Sequence, residues 1–290
     1  MIISASYRTD IPAFYADWLM QRLRAGYCRV VNPYGGGVHD VSLRPEAVDG
    51  FVLWTRNLRP LLPHLDEIYR VAPFVVQFTI TGYPRGLESS VVMAAEAIEQ
   101  LREIRRRFGP RAAVWRYDPV VVTSELDAAA HIHGFTELAE ALAGSVDEVV
   151  LSVMHPYGKT RRNLDRAGAR HGFTWRDPPA AEKRELLSHL AERARDSGIG
   201  PTLCSQPDLL MPSLGEARCI DASRLADVAQ RPLVAPIRGN RPGCRCAASR
   251  DIGAYDTCPH GCAYCYAVTG RDRAVSNFRR HDPASPALCG

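Results

Sequence analysis

Six short apolar runs, at residues 1–6, 51–55, 74–81, 112–117, 148–153 and 201–205, recur through the first two hundred residues with longer helix-patterned segments between them. That rhythm leaves few folds open, because strands separated by helical crossovers pair in parallel and need helices over the sheet. Several runs, Phe74-Val-Val-Gln-Phe among them, are too continuously apolar to have one wet face, as expected of strands buried on both sides. The expected architecture is α/β, a (β/α) TIM-like full or partial barrel.

Between the runs, residues 89–108 place Val91, Val92, Ala95, Ile98, Leu101, Ile104 and Phe108 at helical spacing, with Glu96, Glu99, Arg102 and Arg106 elsewhere on the wheel. Similar stripes occur at Phe135, Leu138 and Leu142, and at Leu186, Leu187, Leu190 and Ala194, where Gly198 is the expected C-terminal stop. A glycine-rich turn near 34–43 predicts a join between two short strands outside the repeat. After residue 230 the texture changes, with Pro232, Pro236 and Pro242 leading into a cysteine cluster. The expected division is a barrel domain over 1–235 and a Cys-rich iron-sulfur segment over 236–290 that completes it. Residues from Arg279 on read as a loose tail.

A chain of 290 residues, 46% hydrophobic, is long enough to bury a barrel-sized core. Thirty-six basic against 32 acidic residues give a net charge of +4, with no basic tail or acidic block, so nucleic acid is neither excluded nor indicated. No run approaches the roughly 18–20 apolar residues of a membrane span, and the first segment lacks the pattern of a signal peptide. No membrane partner and a cytoplasmic location are therefore expected. In a reducing compartment nine cysteines make a poor disulfide framework, and eight of them fall after position 200. Metal ligation is the better reading.

In Cys258-Pro-His-Gly-Cys262-Ala-Tyr-Cys265 three thiols lie within eight residues. One loop of this spacing can wrap three irons of a 4Fe-4S cube and leave the fourth open to a cofactor. Pro259 and Gly261 bend the loop so that backbone amides can face the cluster sulfurs. The alternative is a zinc knuckle completed by His260 or Cys289. A second set, Cys204, Cys219, Cys244 and Cys246, suits a closed site of four thiolates. It reads as an auxiliary 4Fe-4S cluster ahead of zinc, with a buried hydrophobic role for Cys204 as the bland alternative.

The three-cysteine run resembles the C-x3-C-x2-C signature of the radical S-adenosylmethionine (SAM) superfamily, including the aromatic Tyr264 before the third cysteine. The resemblance implies that Cys258, Cys262 and Cys265 hold a 4Fe-4S cluster whose unique iron chelates SAM. Reductive cleavage of SAM then yields a 5′-deoxyadenosyl radical that abstracts hydrogen from a substrate. That family normally carries its motif near the first strand, whereas here it comes last, so the barrel is expected to be circularly permuted, with Asp251-Ile-Gly-Ala-Tyr255 as the strand feeding the loop. More narrowly, Ile3-Ser-Ala-Ser-Tyr-Arg-Thr-Asp-Ile-Pro-Ala-Phe14, Val52-Leu-Trp-Thr-Arg-Asn57, Val114-Trp-Arg-Tyr-Asp-Pro119 and Asp251-Ile-Gly-Ala-Tyr-Asp-Thr-Cys258 look like the domain-of-unknown-function family numbered 1848. That family is similar in turn to the spore photoproduct lyase group, which implies a DNA repair enzyme as a second reading.

In a (β/α) barrel the active site sits at the C-terminal strand ends. The polar residues there are Arg8 and Asp10, Thr55, Arg56 and Asn57, Gln77 and Thr79, Arg116, Tyr117 and Asp118, Ser152 and His155, and Gln206. Arg8, Arg56 and Arg116 beside Asp10 and Asp118 suggest ion pairs able to grip a carboxylate or phosphate. Arg8, Asp10, Arg116 and Asp118 are the candidate catalytic residues, and Arg56 and Arg116 the candidate SAM contacts. The glycine-rich 32–37 and the cationic loop 158–163 could contact an anion. His131 and His133 do not share a helix face and are poor joint ligands, and Cys28 reads as buried filler. The expected activity is a radical SAM enzyme using a 4Fe-4S cluster, SAM, a second 4Fe-4S cluster or zinc, an electron donor such as flavodoxin or ferredoxin, and an unidentified substrate. A metal-stabilised binding protein without catalysis is the reading from another class.

Overall fold

The computed structural model describes residues 1–33, 35 and 37–289. Tyr34 and Gly36, within the glycine-rich turn, lie outside the described residues. Ten strands and nine α-helices follow one another among them. The order is β1 (Ile2–Ala5), α1 (Ile11–Phe14), α2 (Ala16–Ala25), β2 (Tyr27–Val31), β3 (Val38–Ser42), β4 (Gly50–Thr55), α3 (Leu65–Val71) and β5 (Phe74–Thr79). It continues through α4 (Ala94–Phe108), β6 (Ala113–Val120), α5 (Ala128–Leu142), β7 (Glu148–Val153), α6 (Gly158–His171), α7 (Ala180–Asp196) and β8 (Gly200–Leu203). The last elements are β9 (Gly215–Glu216), α8 (Ala222–Ala229), β10 (Ser249–Asp251) and α9 (Arg271–Arg279).

All six apolar runs become parallel strands of one eight-stranded sheet, in the order β10-β1-β4-β5-β6-β7-β8-β9. β1 and the first four residues of β4 are wholly buried, and β5 and β7 are buried at all but one position each, as parallel strands covered on both faces require. Hydrogen bonding does not join β9 to β10 among the described residues, so the sheet is open where a closed barrel was one expectation. β2 and β3 form the predicted antiparallel pair outside the repeat.

β10 lies beside β1 in parallel register, Ile2 opposite Ser249 and Ser4 opposite Asp251. It ends at Asp251, where the predicted strand was to begin, because the Asp251 carboxylate turns into a hub instead of extending the strand. It accepts from Ser4 Oγ at 2.8 Å, Ser6 Oγ at 2.7 Å, the Tyr7 amide at 3.1 Å and the Gly253 amide at 3.0 Å. Gly253 is needed there, since a Cβ would fall 2.0 Å from Ser6 Oγ.

Three boundaries differ from expectation for physical reasons. α4 starts at Ala94 rather than near 89, because residues 88–90 are drawn off to the cysteine loop: the Ser90 amide donates to the His260 carbonyl at 2.9 Å and Glu88 forms a bridge with Cys262. The segment expected as a cationic loop at 158–163 is the first turns of α6. The expected loose tail is packed, with Trp18 Nε1 donating to the Ser285 carbonyl at 3.0 Å, Arg22 Nη2 to Ala284 at 3.0 Å and the Arg29 amide to Pro286 at 2.8 Å. α7 ends as expected, with Gly198 left-handed at φ 72°.

Candidate functional site

Parallel strands present all their C-terminal ends on one side, and there a cavity of about 580 Å³ opens. Its lining includes Arg8, Asp10, Arg56, Arg116 and Asp118 from the strand ends, and it also includes all seven candidate ligand cysteines. The two cysteine sets, separate in sequence, thus border a single space. None of the seven is in a disulfide.

The three-cysteine loop follows β10 and is held from several sides. Tyr15 Oη donates to the Thr257 carbonyl at 2.7 Å, and His260 Nε2 lies 2.8 Å from Asp10 Oδ2. Gly261 has φ 74°, and a Cβ on it would meet Ser89 Oγ at 2.2 Å and Arg271 Cδ at 2.7 Å, so only glycine fits this bend. Burial raises the thiol of Cys258 well above its ordinary range and that of Cys262 to about 12, with Arg56 opposing the rise at Cys262. Cys265 is raised by burial too, against the backbone amides of Ala267 and Val268, which favour its thiolate. Thiols so placed ionise readily only with a cation beside them.

Asp10 does not pair with Arg8 as expected. It caps α1 through the Ala13 amide at 2.9 Å, accepts from Thr55 Oγ1 at 2.8 Å and the Arg56 amide at 2.7 Å, and meets His260. Its work is to tie β4 and α1 to the cysteine loop. The partner of Arg8 is Asp251, Nε to Oδ1 at 3.7 Å, and its guanidinium lies over the rings of Tyr7 and Tyr255. Arg56 pairs with Glu88 at 2.7 Å and donates to Tyr264 Oη at 2.5 Å, while Tyr264 and Thr81 also donate to Glu88. Arg116 pairs with Asp118 as expected and donates to Gln77 Oε1 and Cys219 Sγ, both at 3.0 Å. Burial would raise the Asp118 carboxyl, but Arg116, Ser152 and Arg241 outweigh it and hold it below its ordinary value.

Thr55, Thr79, Ser152 and His155 line the cavity, whereas Asn57, Gln77, Tyr117, Gln206 and Cys28 do not. Tyr117 instead faces His131 Nδ1 at 2.9 Å inside the core. Sequence reasoning missed Glu88, Asp251, Trp54 and Arg241. The first two sit on a loop and a strand edge with no periodic signal, and only their contacts with Arg56 and Arg8 reveal them.

Among the second set, Cys219 Sγ donates to Cys204 Sγ at 3.5 Å and the Ile220 amide to Cys246 Sγ at 3.4 Å. A hydrogen bond with Cys246 brings the Cys244 thiol down to about 5. Among the described residues no three Cys, His, Asp or Glu side chains converge on a single ion position.

The family model for the domain of unknown function DUF1848 matches residues 2–267. The chain belongs to that family. The match takes in every strand of the sheet and the whole three-cysteine loop of this DUF1848 chain. No curated protein matches it. Among solved structures, the D-hydantoinase of a Bacillus sp. AR9 aligns with 63% of the chain and 37% of its own length, at 10% identity and a TM-score of 0.31, too slight a likeness to carry an argument. Among the described residues no helix of this DUF1848 chain is long and apolar enough to cross a membrane.

Proposed function

We propose that the chain is a radical SAM enzyme on a permuted, open (β/α) sheet, with Cys258, Cys262 and Cys265 holding a 4Fe-4S cluster and SAM bound in the cavity. The observation that carries this reading is the position of the three-thiol loop. It follows a strand paired with β1, at the C-terminal side of the parallel sheet, and lines the same cavity as Arg8, Arg56 and Arg116.

The donor set fits a cluster better than a zinc knuckle. Both ring nitrogens of His260 are engaged, Nε2 with Asp10 and Nδ1 with the Ser90 carbonyl at 3.4 Å, and Cys289 is not part of the cavity wall. Three free thiols without a fourth protein donor suit a cube with one open iron and leave tetrahedral zinc incomplete.

Such a cluster, held by Cys258, Cys262 and Cys265 with SAM in the same cavity, would supply one-electron reductive cleavage of SAM. The protein's share is positioning and exclusion of water. Asp10 and His260 fix the loop against β4, and the Arg56–Glu88–Tyr264 network sets the wall beside Cys262. Arg8 and Arg116 put positive charge into a space walled by Trp54, Tyr255 and Tyr266, which suits a substrate or cofactor carboxylate.

The test is anaerobic reconstitution with iron and sulfide, then dithionite-driven turnover assayed for 5′-deoxyadenosine. Wild type is expected to form it and Cys262→Ala to form none. Well-loaded wild type that forms none would end the radical reading and leave a metal-stabilised binding protein.

A further inference from the structure

Arg8, Arg56, Arg116 and Arg241 all line the cavity, and three of them are matched by an acid. Arg8 lies 3.7 Å from Asp251, Arg56 2.7 Å from Glu88, and Arg116 pairs with Asp118. Among the described residues no carboxylate is within ion-pair distance of Arg241, whose Nη2 donates instead to Cys204 Sγ at 3.5 Å. Asp118, an acid of the same cavity, is already engaged on both oxygens, with Arg116 Nη2 and Ser152 Oγ. We propose that Arg241 is the receptor for an oxyanion of the substrate, a carboxylate or a phosphate, and that the chain tip carrying it holds this charge over the end of β8. The inference names the substrate class of the proposed enzyme and rests on that reading only for the word substrate.

The tip has a fixed shape. Ile237 bridges Ala247 in antiparallel fashion, the Arg238 amide donates to the Cys246 carbonyl at 2.9 Å, and the Cys244 amide turns back to the Arg241 carbonyl at 3.1 Å. At Gly239 a Cβ would fall 2.3 Å from the Cys244 carbonyl oxygen, so the two arms of the tip meet backbone to backbone. Gly243 is left-handed at φ 72°, and a Cβ there would be 2.9 Å from Pro207 Cδ. These contacts seat the tip on the turn that follows β8, where Ser205 is itself left-handed at φ 52°. The guanidinium is thereby brought to a buried strand end, since its sulfur contact, Cys204, is only 7% exposed.

The chemistry of this corner suits an oxyanion. Asn240, the chain neighbour of Arg241, and Ser205, the neighbour of Cys204, also line the cavity and add an amide and a hydroxyl donor. A planar guanidinium can donate to two oxygens of a carboxylate or phosphate at once, and the pairing strengthens as water is displaced. The strand order separates this corner from the cysteine loop. The loop follows β10 at one edge of the sheet, and β8 stands six places further along. A cofactor held at the loop and an anion held by Arg241 therefore meet the cavity from different strands.

The experiment is isothermal titration of the full reconstituted chain with inorganic phosphate and with succinate, at low ionic strength where such pairing is least screened. Saturable binding is expected, and the tighter probe tells a phosphate-bearing substrate from a carboxylic acid. Arg241→Gln should weaken it about tenfold or more, and Arg241→Lys by less. Arg245→Gln should leave it unchanged, because Arg245 pairs with Glu216 at 3.4 Å outside the cavity. Binding of neither probe would overturn the proposal, as would full binding by Arg241→Gln or displacement of the probe by SAM. Anion binding that depends on Arg241 in a protein forming no 5′-deoxyadenosine would keep this inference and remove the radical one.

Discussion

Arg56 is buried, so its charge is tolerable only because Glu88, Thr81 and Tyr264 meet it. Removing the carboxylate by Glu88→Ala should lower stability by about 3–5 kcal/mol, read by urea denaturation, and a loss under 1 kcal/mol would mean the pair does not hold the wall. A second residue reports on pH. His131 is buried with Nε2 at 3.0 Å from the Val121 carbonyl, which can only accept, so Nε2 carries a hydrogen and donates it, while Nδ1 faces Tyr117 Oη at 2.9 Å. Burial lowers its pKa below 6.5, although the Val121 bond opposes the shift. The unfolded chain therefore takes up the proton first, and stability should fall as pH drops below about 6.5, by up to about 1.4 kcal/mol per pH unit until the folded pKa is passed. Urea midpoints at pH 5.0 and 7.5 should differ less in His131→Asn than in wild type. At this scale the sequence showed the arginines plainly, because charged residues at strand ends stand out. It hid their partners, because Glu88 and Asp251 are ordinary carboxylates until the fold brings them to Arg56 and Arg8.

Among the elements, the cysteine loop and α5 offer contrasting glycines. Gly261→Ala puts a methyl group against Ser89 and Arg271 in a left-handed bend, and reconstituted iron should drop at least twofold while the sheet stays folded by circular dichroism. Gly134 sits inside α5 with nothing within 4 Å of where a Cβ would be, so Gly134→Ala should raise stability by about 0.5–1 kcal/mol. Loss of stability there would place an undetected neighbour over that face. Six strands were legible because uninterrupted apolar runs have no other use in a chain of this size. β9 was not, being two residues long with small and charged side chains, and β10 was placed at 251–255 where the structure has it at Ser249–Asp251. The start of α4 was misplaced because Val91 and Val92 continue the helical stripe in sequence while residues 88–90 are bound to the cysteine loop.

Across the whole molecule, residues after α9 lock α2 and the β2–β3 pair to the rest through Trp18, Arg22 and Arg29. Deleting 284–289 strands donors on the buried Trp18 and Arg22 and the amide of the exposed Arg29, and the thermal midpoint should fall by several degrees, while an unchanged midpoint would mean that water replaces those carbonyls without cost. The pairing of β10 with β1 has a further effect in time. Synthesis at about 5–20 residues per second separates these two strands by roughly 10–50 s, during which one edge of β1 has no neighbour. The cysteine loop emerges only after the strand that closes that edge. A nascent chain thus reaches the ribosome exit with its central sheet exposed on one side and the three thiols of the loop still unmade, so that edge needs cover long before the loop can take its place.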